Sequence, residues 1–310
     1  MSNLTKLSAA PSTLSLYRKA ILHRGGGHGE LSEDRLQLAD QPIDAGRLWR
    51  YQQLCGFRVS DVLPPPYLHL LAFPLSMALM TRPDFPFPLL GLIHIGNEIS
   101  QHRPVRADER VTVQAWAANR RPHPAGQAVD LVSEASIGDE LVWREVSSYL
   151  HRERSGQGKS VDAGREPAAN AASPAPSAEA ALSAEAAPSE EPNAATEAAP
   201  VIQWRVPADI GRRYAAVSGD RNPIHLHDLT AKLFGFRAAI AHGMWLQART
   251  LAAFEGRLPD RLRMEVAFKT PVFLPSTVEL RVTPAEASRR IEVRSVRSGK
   301  PHLAGTIASR

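Results

Sequence analysis

Cysteine is nearly absent: Cys55 stands alone in 310 residues. A single thiol forms neither an internal disulfide nor a cysteine-based metal cluster, which excludes a disulfide-stapled secreted domain and favours a reducing compartment. Long apolar runs are missing as well. No stretch of roughly 18 apolar residues occurs, so no membrane span is expected. The most apolar run, LHLLAFPLSMALM, is too short and carries Pro74. The opening MSNLTKLSAAPSTLSLYRKAILHRGG lacks the unbroken apolar centre of a signal peptide, and a soluble, cytoplasmic chain is expected. Aromatic residues are scarce, at 6%. Residues 201–310 are basic, with 18 Lys+Arg against 9 Asp+Glu. Their arginines are scattered without aromatic partners, a pattern that argues against nucleic acid and suits a small phosphate-bearing partner or plain solubilising charge.

What the chain does have is enough apolar content, 43%, for two ordinary cores. Between them the composition changes. Residues 161–200 hold 16 Ala, 6 Pro, 4 Ser and no aromatic residue, with one Arg against 7 acids. Prolines interrupt any helix that the alanines would form, so residues 156–200 read as a flexible acidic tether. It separates a unit over 1–155 from a unit over 201–310. In the first, a short helix is expected over 13–22 and a second over 68–80, before four strands with partial alternation near 92–99, 111–116, 128–133 and 141–146. In the second, a short helix near 207–218 and a longer one over 240–254 precede strands near 262–269, 278–282, 290–296 and 303–308. One long helix followed by several antiparallel strands is the order of a curved sheet wrapped around that helix.

The two units look like copies. Tyr51-Gln-Gln-Leu-Cys55-Gly56-Phe57 aligns without gaps with Tyr214-Ala-Ala-Val-Ser218-Gly219-Asp220. Arg103-Pro104-Val105 corresponds to Thr270-Pro271-Val272, and His69 to His242. They differ where polar chemistry would sit. Phe57 stands at the place of Asp220, Val62 at the ungapped place of His225, and the interval from Gly56 to His69 is shorter than that from Gly219 to His242.

The stretch from Ser218 to Met244, SGDRNPIHLHDLTAKLFGFRAAIAHGM, carries that chemistry. Asp220 and His225 flank a rigid Asn222-Pro223 bend, which lets an acid and an imidazole converge on one small group. His242 and Gly243 fall in the first turn of the following helix, whose free N–H groups attract developing negative charge. Taken alone, Asp220 reads as a turn residue or cap and His225 as a satisfied histidine; together with Asn222-Pro223 and His242-Gly243 they read as a site. His225, His227 and His242 with Asp220 and Asp228 could also ligate a metal, but the spacing is a weak signal and no metal is needed to explain His225. A serine hydrolase built on Ser218 lacks the Gly-x-Ser-x-Gly context. Asn222 and Pro223 read as braces of the loop.

Tyr214, Ser218-Gly219-Asp220, Asn222-Pro223-Ile224-His225, Asp228, Phe234-Gly235-Phe236 and Ile240-Ala241-His242-Gly243-Met244 resemble the hydratase motif of MaoC-like (R)-specific enoyl-thioester hydratases and 3-hydroxyacyl-thioester dehydratases. The resemblance implies an α+β double hot dog, two curved antiparallel sheets each wrapped around a central helix. In it, 201–310 carries the site and 1–155 is degenerate and catalytically silent. It implies that Asp220 and His225 activate a water that adds to a trans-2-enoyl thioester, with Asp220 helping to supply the proton to C2. It further implies that the Gly243 N–H receives the charge on the thioester oxygen, a Cβ there obstructing the thioester. No metal or organic cofactor is implied; coenzyme A or acyl carrier protein is part of the substrate, and a homodimer of the double hot dog is compatible with the family. Lys269, Arg263 and Arg237 are the candidates for carrier phosphates, and Phe57, Leu70, Leu71 and Phe73 for the acyl pocket. The alternatives are a hot-dog thioesterase using Asp220, distinguished by release of free thiol, and a non-catalytic acyl-carrier binding module, distinguished by binding without turnover.

Overall fold

The computed structural model describes residues 3–22, 31–152 and 201–310; the tether expected over 156–200 lies outside the described residues. In chain order the first half comprises β1 (Leu4–Leu7), α1 (Thr13–Leu22), β2 (Arg35–Pro42), α2 (Ala45–Cys55), a 3-10 turn (Pro65–Leu68), α3 (His69–Met80), β3 (Leu92–Gln101), β4 (Arg110–His123), β5 (Gly126–Ile137) and β6 (Glu140–Arg152). The second comprises β7 (Val201–Val206), α4 (Ile210–Ser218), a 3-10 turn (Pro223–His225), α5 (Asp228–Leu233), α6 (Gly243–Ala252), β8 (Leu262–Phe268), β9 (Ser276–Ala285), β10 (Ser288–Ser295) and β11 (Pro301–Ser309).

The described strands form one sheet in the order β1-β2-β4-β5-β6-β3-β8-β11-β10-β9-β7. Apart from β1, that order is a palindrome about the β3–β8 junction: β2, β4, β5, β6 and β3 on one side mirror β7, β9, β10, β11 and β8 on the other. The two expected sheets are therefore joined edge to edge, through an antiparallel ladder that runs from Gly96↔Ala267 to Gln101↔Leu262. Pairing β3 with β8 covers an edge that each half would otherwise leave open. The architecture is an α+β double hot dog.

Each half wraps its sheet on a buried helix. In α3 nearly every side chain is buried, from Leu70 to Met80, as expected of a helix with sheet and neighbours on all sides. Pro74 lies inside it and cannot bond the carbonyl of Leu70. Arg47 Nη2 takes that carbonyl at 3.4 Å, and the same guanidinium bonds Val217 O at 2.8 Å and Ser218 O at 3.2 Å. One first-half arginine thus satisfies carbonyls of α3 and of the C-terminal end of α4. A second tie is the buried chain Gln247–Asn97–Glu145–His69. Gln247 Nε2 donates to Asn97 Oδ1 at 2.8 Å, Asn97 Nδ2 to Glu145 Oε1 at 2.8 Å, and His69 Nδ1 to Glu145 Oε2 at 2.9 Å. The Glu145 carboxylate outweighs the effect of burial and raises the His69 pKa.

The internal repeat aligns in space at its glycines. Gly56 ends α2 and Gly219 ends α4, both in the left-handed region, at φ 81° and 84°, where glycine carries no Cβ penalty. The repeat's register shifts in the loop. Val62 makes an isolated bridge to Arg106, as Ile240 does to Phe273, so Val62 corresponds to Ile240 and not to His225. The whole turn that carries His225 has no first-half counterpart. α6 is also shorter at its start than the periodicity predicts, because Ile240 is held in its bridge and Ala241 N donates to Val272 O at 2.9 Å.

Candidate active site

The loop from Gly219 to His242 is built by its own polar groups. Ser218 Oγ bonds Tyr214 O at 2.8 Å and accepts from Asp220 N at 3.1 Å, which turns the chain out of α4. Asn222 N donates to Asp220 Oδ1 at 3.1 Å, and Asn222 Oδ1 accepts from Ile224 N at 3.4 Å. Asn222 is the cap and Pro223 the first residue of the 3-10 turn that ends at His225. Asp228 Oδ1 takes Ala239 N at 2.8 Å, closing the far side of the loop. A small apolar cluster of Ala231, Phe236 and Ile240, joined by Ile224, Phe234 and Phe273, anchors it.

Beneath the turn lies Gly211 of α4. A Cβ built there would sit 1.9 Å from the His225 carbonyl oxygen, so only glycine lets the helix and the turn approach this closely.

Asp220, His225 and His242 meet at the end of this loop: one carboxylate oxygen and one nitrogen of each ring lie within 4.8 Å of one another. His225 Nδ1 is 2.9 Å from Ile240 O. A carbonyl only accepts, so Nδ1 carries the proton and Nε2 presents a lone pair. Burial lowers the His225 pKa against the pull of Asp220, which keeps the ring neutral and basic at neutral pH. His242 is pushed down to about 3 by burial and by neighbouring His225; its Nε2 lies 3.1 Å from Asp220 O and 3.8 Å from Asp220 Oδ2. Burial opposes the Asp220 charge, yet the two imidazoles and the hydrogen bonds from Tyr17 and Asn222 hold the carboxyl below its ordinary value. The resting pair is a carboxylate and a neutral imidazole.

By distance the three groups could hold a metal ion, but their orientation disfavours it. The His225 and His242 rings are stacked, with centroids 3.7 Å apart and planes 25° apart. Ring lone pairs lie in the ring planes, and nearly parallel planes do not converge on an ion needing about 2 Å bonds. His227 is exposed.

Gly243 opens α6, with His242 as its N-cap, and its N–H is one of the first-turn donors without an intrahelical partner. A Cβ there would meet the Phe268 ring, at 2.9–3.2 Å. Glycine at this position therefore also suits the packing of α6 on β8.

Asp220, His225, His242 and Gly243 line one cavity of about 450 Å³. Its walls come from both halves. Phe73, Met77 and Met80 of α3, His94 of β3 and Tyr149 of β6 face Ile224, Phe234, Leu246 and Val272 of the second half. Of the acyl-pocket candidates, Phe73 lines it. Phe57, Leu70 and Leu71 do not: Phe57 and Leu70 are buried in the main core and Leu71 is packed against it. A helix shows a cavity only one stripe, and in α3 that stripe is 73, 77 and 80, spaced by four and three.

Among the carrier candidates, Lys269 sits between the lining residues Phe268 and Thr270, and Arg237 stacks over the Phe273 ring at 4.1 Å beside lining Phe236. Arg263 lies five residues from Phe268 along β8, roughly 17 Å, and pairs with Glu98 at 2.9 Å and Glu265 at 3.4 Å; it is away from the cavity.

Sequence reasoning missed Tyr17, Gly211 and His94. Tyr17 OH donates to Asp220 Oδ1 at 2.5 Å. His94 is held between Tyr149 and Phe268, at 4.6 and 4.9 Å, with its Nε2 buried and unpartnered and its pKa lowered to about 4 by burial. Only Gly211 left a signal, as a costly glycine inside a helix; the other two are brought in by tertiary contacts alone.

An acid–imidazole pair and a helix N-terminus share one cavity inside a double hot dog, and comparison with known proteins places that arrangement in a family. The MaoC-like domain family matches residues 183–306. The 3-hydroxyacyl-thioester dehydratase X of Mycobacterium tuberculosis is 36% identical over 279 residues, 90% of each chain. The crystal structure of HtdX from the same organism superposes with a TM-score of 0.71 at 34% identity, covering 89% of this chain and 100% of that one. Another Mycobacterium tuberculosis protein, described as a double hot-dog fold, matches with a TM-score of 0.51 at 13% identity over 87% of this chain and 92% of its own, a likeness of fold alone. The chain belongs to the MaoC-like dehydratase family. Among the described residues no helix is long and apolar enough to cross a membrane.

Proposed function

We propose that the protein is a hydro-lyase that reversibly hydrates trans-2-enoyl thioesters and dehydrates (R)-3-hydroxyacyl thioesters. The family relation supports hydratase or dehydratase activity on acyl thioesters. The finer reading rests on one observation: a neutral imidazole with a free Nε2, a carboxylate and a helix N-terminus share one largely apolar cavity.

In this reading a water sits between Asp220 and His225. His225 Nε2 takes one proton as the water oxygen bonds to C3. The C2–C3 π pair moves toward the thioester carbonyl, whose oxygen gains enolate character and is met by the Gly243 N–H. The carboxylate of Asp220 holds the water and steadies the imidazolium. The proton removed from water is then returned to C2 through the pair, so H and OH add across the double bond with nothing left over. Dehydration is the reverse. General acid–base catalysis of this kind is worth about 10²–10⁴-fold, and one oxyanion donor about 3 kcal/mol in barrier. The apolar walls from α3 would hold the acyl chain, and Lys269 and Arg237, next in sequence to lining residues, would meet a phosphate-bearing carrier.

The test is product analysis with 2-enoyl thioesters of increasing chain length on coenzyme A and on acyl carrier protein. Loss of enoyl absorbance with the thioester intact is expected. Release of free thiol would replace this reading with a thioesterase, and binding without turnover would replace it with a carrier-binding module.

A further inference from the structure

We propose that Tyr17 is a positioning residue for Asp220, supplied by a helix that stands outside the repeated framework. The inference rests on the hydratase reading above. Among the described residues neither β1 nor α1 has a counterpart ahead of β7 in the second half, yet α1 reaches the candidate site twice. Thr13 lies against the turn that leads into Asp220, its Oγ1 3.3 Å from where a Cβ of Gly219 would be. One turn further on, Tyr17 lines the cavity and its hydroxyl donates to Asp220 Oδ1 at 2.5 Å. β1 ties this segment to the sheet by pairing with β2, from Leu4↔Arg35 to Leu7↔Leu38.

The bond decides which carboxylate oxygen is free. Oδ1 receives both the Tyr17 hydroxyl and the Asn222 N–H, which fixes the side-chain torsions. Oδ2 is left on the side of His242, 3.8 Å from its Nε2. Burial and the adjacent carboxylate raise the Tyr17 phenol well above its ordinary value, so it stays a donor throughout the working pH range. Packing alone does not call for this hydroxyl. Tyr17 is buried, and a phenylalanine would fill the same space without the cost of desolvating a polar group. One unpaired carboxylate oxygen, held still, is what orienting a single water demands.

The experiment is Tyr17→Phe in the full chain, assayed for hydration of a short 2-enoyl-CoA across pH, with thermal melting as control. We expect kcat to fall roughly ten- to a hundredfold, the range for losing a hydrogen bond to a charged group, with KM within about twofold. Because Tyr17 helps to hold the carboxyl low, its loss should move the acid limb of the pH profile to higher pH. In an Asp220→Asn background the same change should cost nothing further. An active wild type with unchanged kcat and pH profile in Tyr17→Phe overturns this inference alone, as does an equal loss in both backgrounds. A wild type without turnover overturns the hydratase reading and this inference together.

Discussion

The two halves share a framework and differ in one loop. α2 and α4 both end in a left-handed glycine, α3 and α6 both start at a histidine or directly after one, and Val62 and Ile240 make the same bridge. Between glycine and bridge the first half runs through a brief connection, whereas the second inserts the 3-10 turn, α5 and the apolar cluster that anchors them. The helix beneath records the difference. Gly211 is flat because the His225 carbonyl leans on it; its first-half counterpart, three residues before Tyr51, is Leu48, buried in the core. His69 and His242 diverge in the same way. One is raised by a buried carboxylate into an ion pair, the other lowered by burial beside His225. The lesson is that a duplicated half without that loop can still serve its partner, since α3 and β3 wall the cavity on which the loop lies.

The strongest way to break this comparison is at the acid–imidazole pair. Asp220→Asn and His225→Ala should each lower hydration at least a hundredfold with normal circular dichroism, and the double variant should be far less than multiplicatively worse, because both groups act on one water. Near wild-type turnover in either single variant would remove the difference between the halves.

A paired substitution sharpens it. Gly211→Ala should cost roughly ten- to a hundredfold in turnover, as a displacement of about 1 Å at a catalytic group can. Leu48→Ala should instead cost about 2–5 kcal/mol of stability and leave turnover of the folded protein within a few fold. Denaturant melts alongside steady-state rates separate the two, and matching profiles would mean that the second helix does not support its loop in the way its contacts suggest.

The division of labour within α3 is a smaller effect. Met77→Ala or Phe73→Ala should shift chain-length preference while short substrates turn over nearly as before. Leu70→Ala, off the cavity stripe, should lower stability with the preference unchanged. A chain-length shift in Leu70→Ala would move the acyl wall to a different face.

The smallest effect is on pH. His242 and His94 have folded pKa values lowered to about 3 and about 4, so in acid the unfolded chain binds protons that the fold refuses. Their contribution to stability is complete above about pH 6.5 and is lost as pH falls below it, at roughly 1.4 kcal/mol per pH unit for each while the folded ring stays neutral. His69, raised by Glu145, works in the opposite sense: its stabilisation is full below about pH 6.5 and declines as pH rises above it. Urea midpoints at pH 7 and pH 5.5 measure it; equal midpoints would mean that these rings are not buried as neutral groups.

Much of the design was legible in the chain. Asp220, Asn222-Pro223 and His225 lie within six residues, and turn chemistry over so short a span is set by local torsions and side-chain caps, which need no partner. The repeat was legible because its anchors are glycines and buried residues whose roles are also local. Tertiary structure alone decided three things. Tyr17 meets Asp220 across 203 positions, a contact written in no local pattern. The cavity wall turned on which stripe of a largely apolar helix faces the cavity, and periodicity says little where nearly every position is hydrophobic. A second reason for Gly243 came from the same cause: a Cβ meets whatever the fold brings opposite it, and here that is the ring of Phe268.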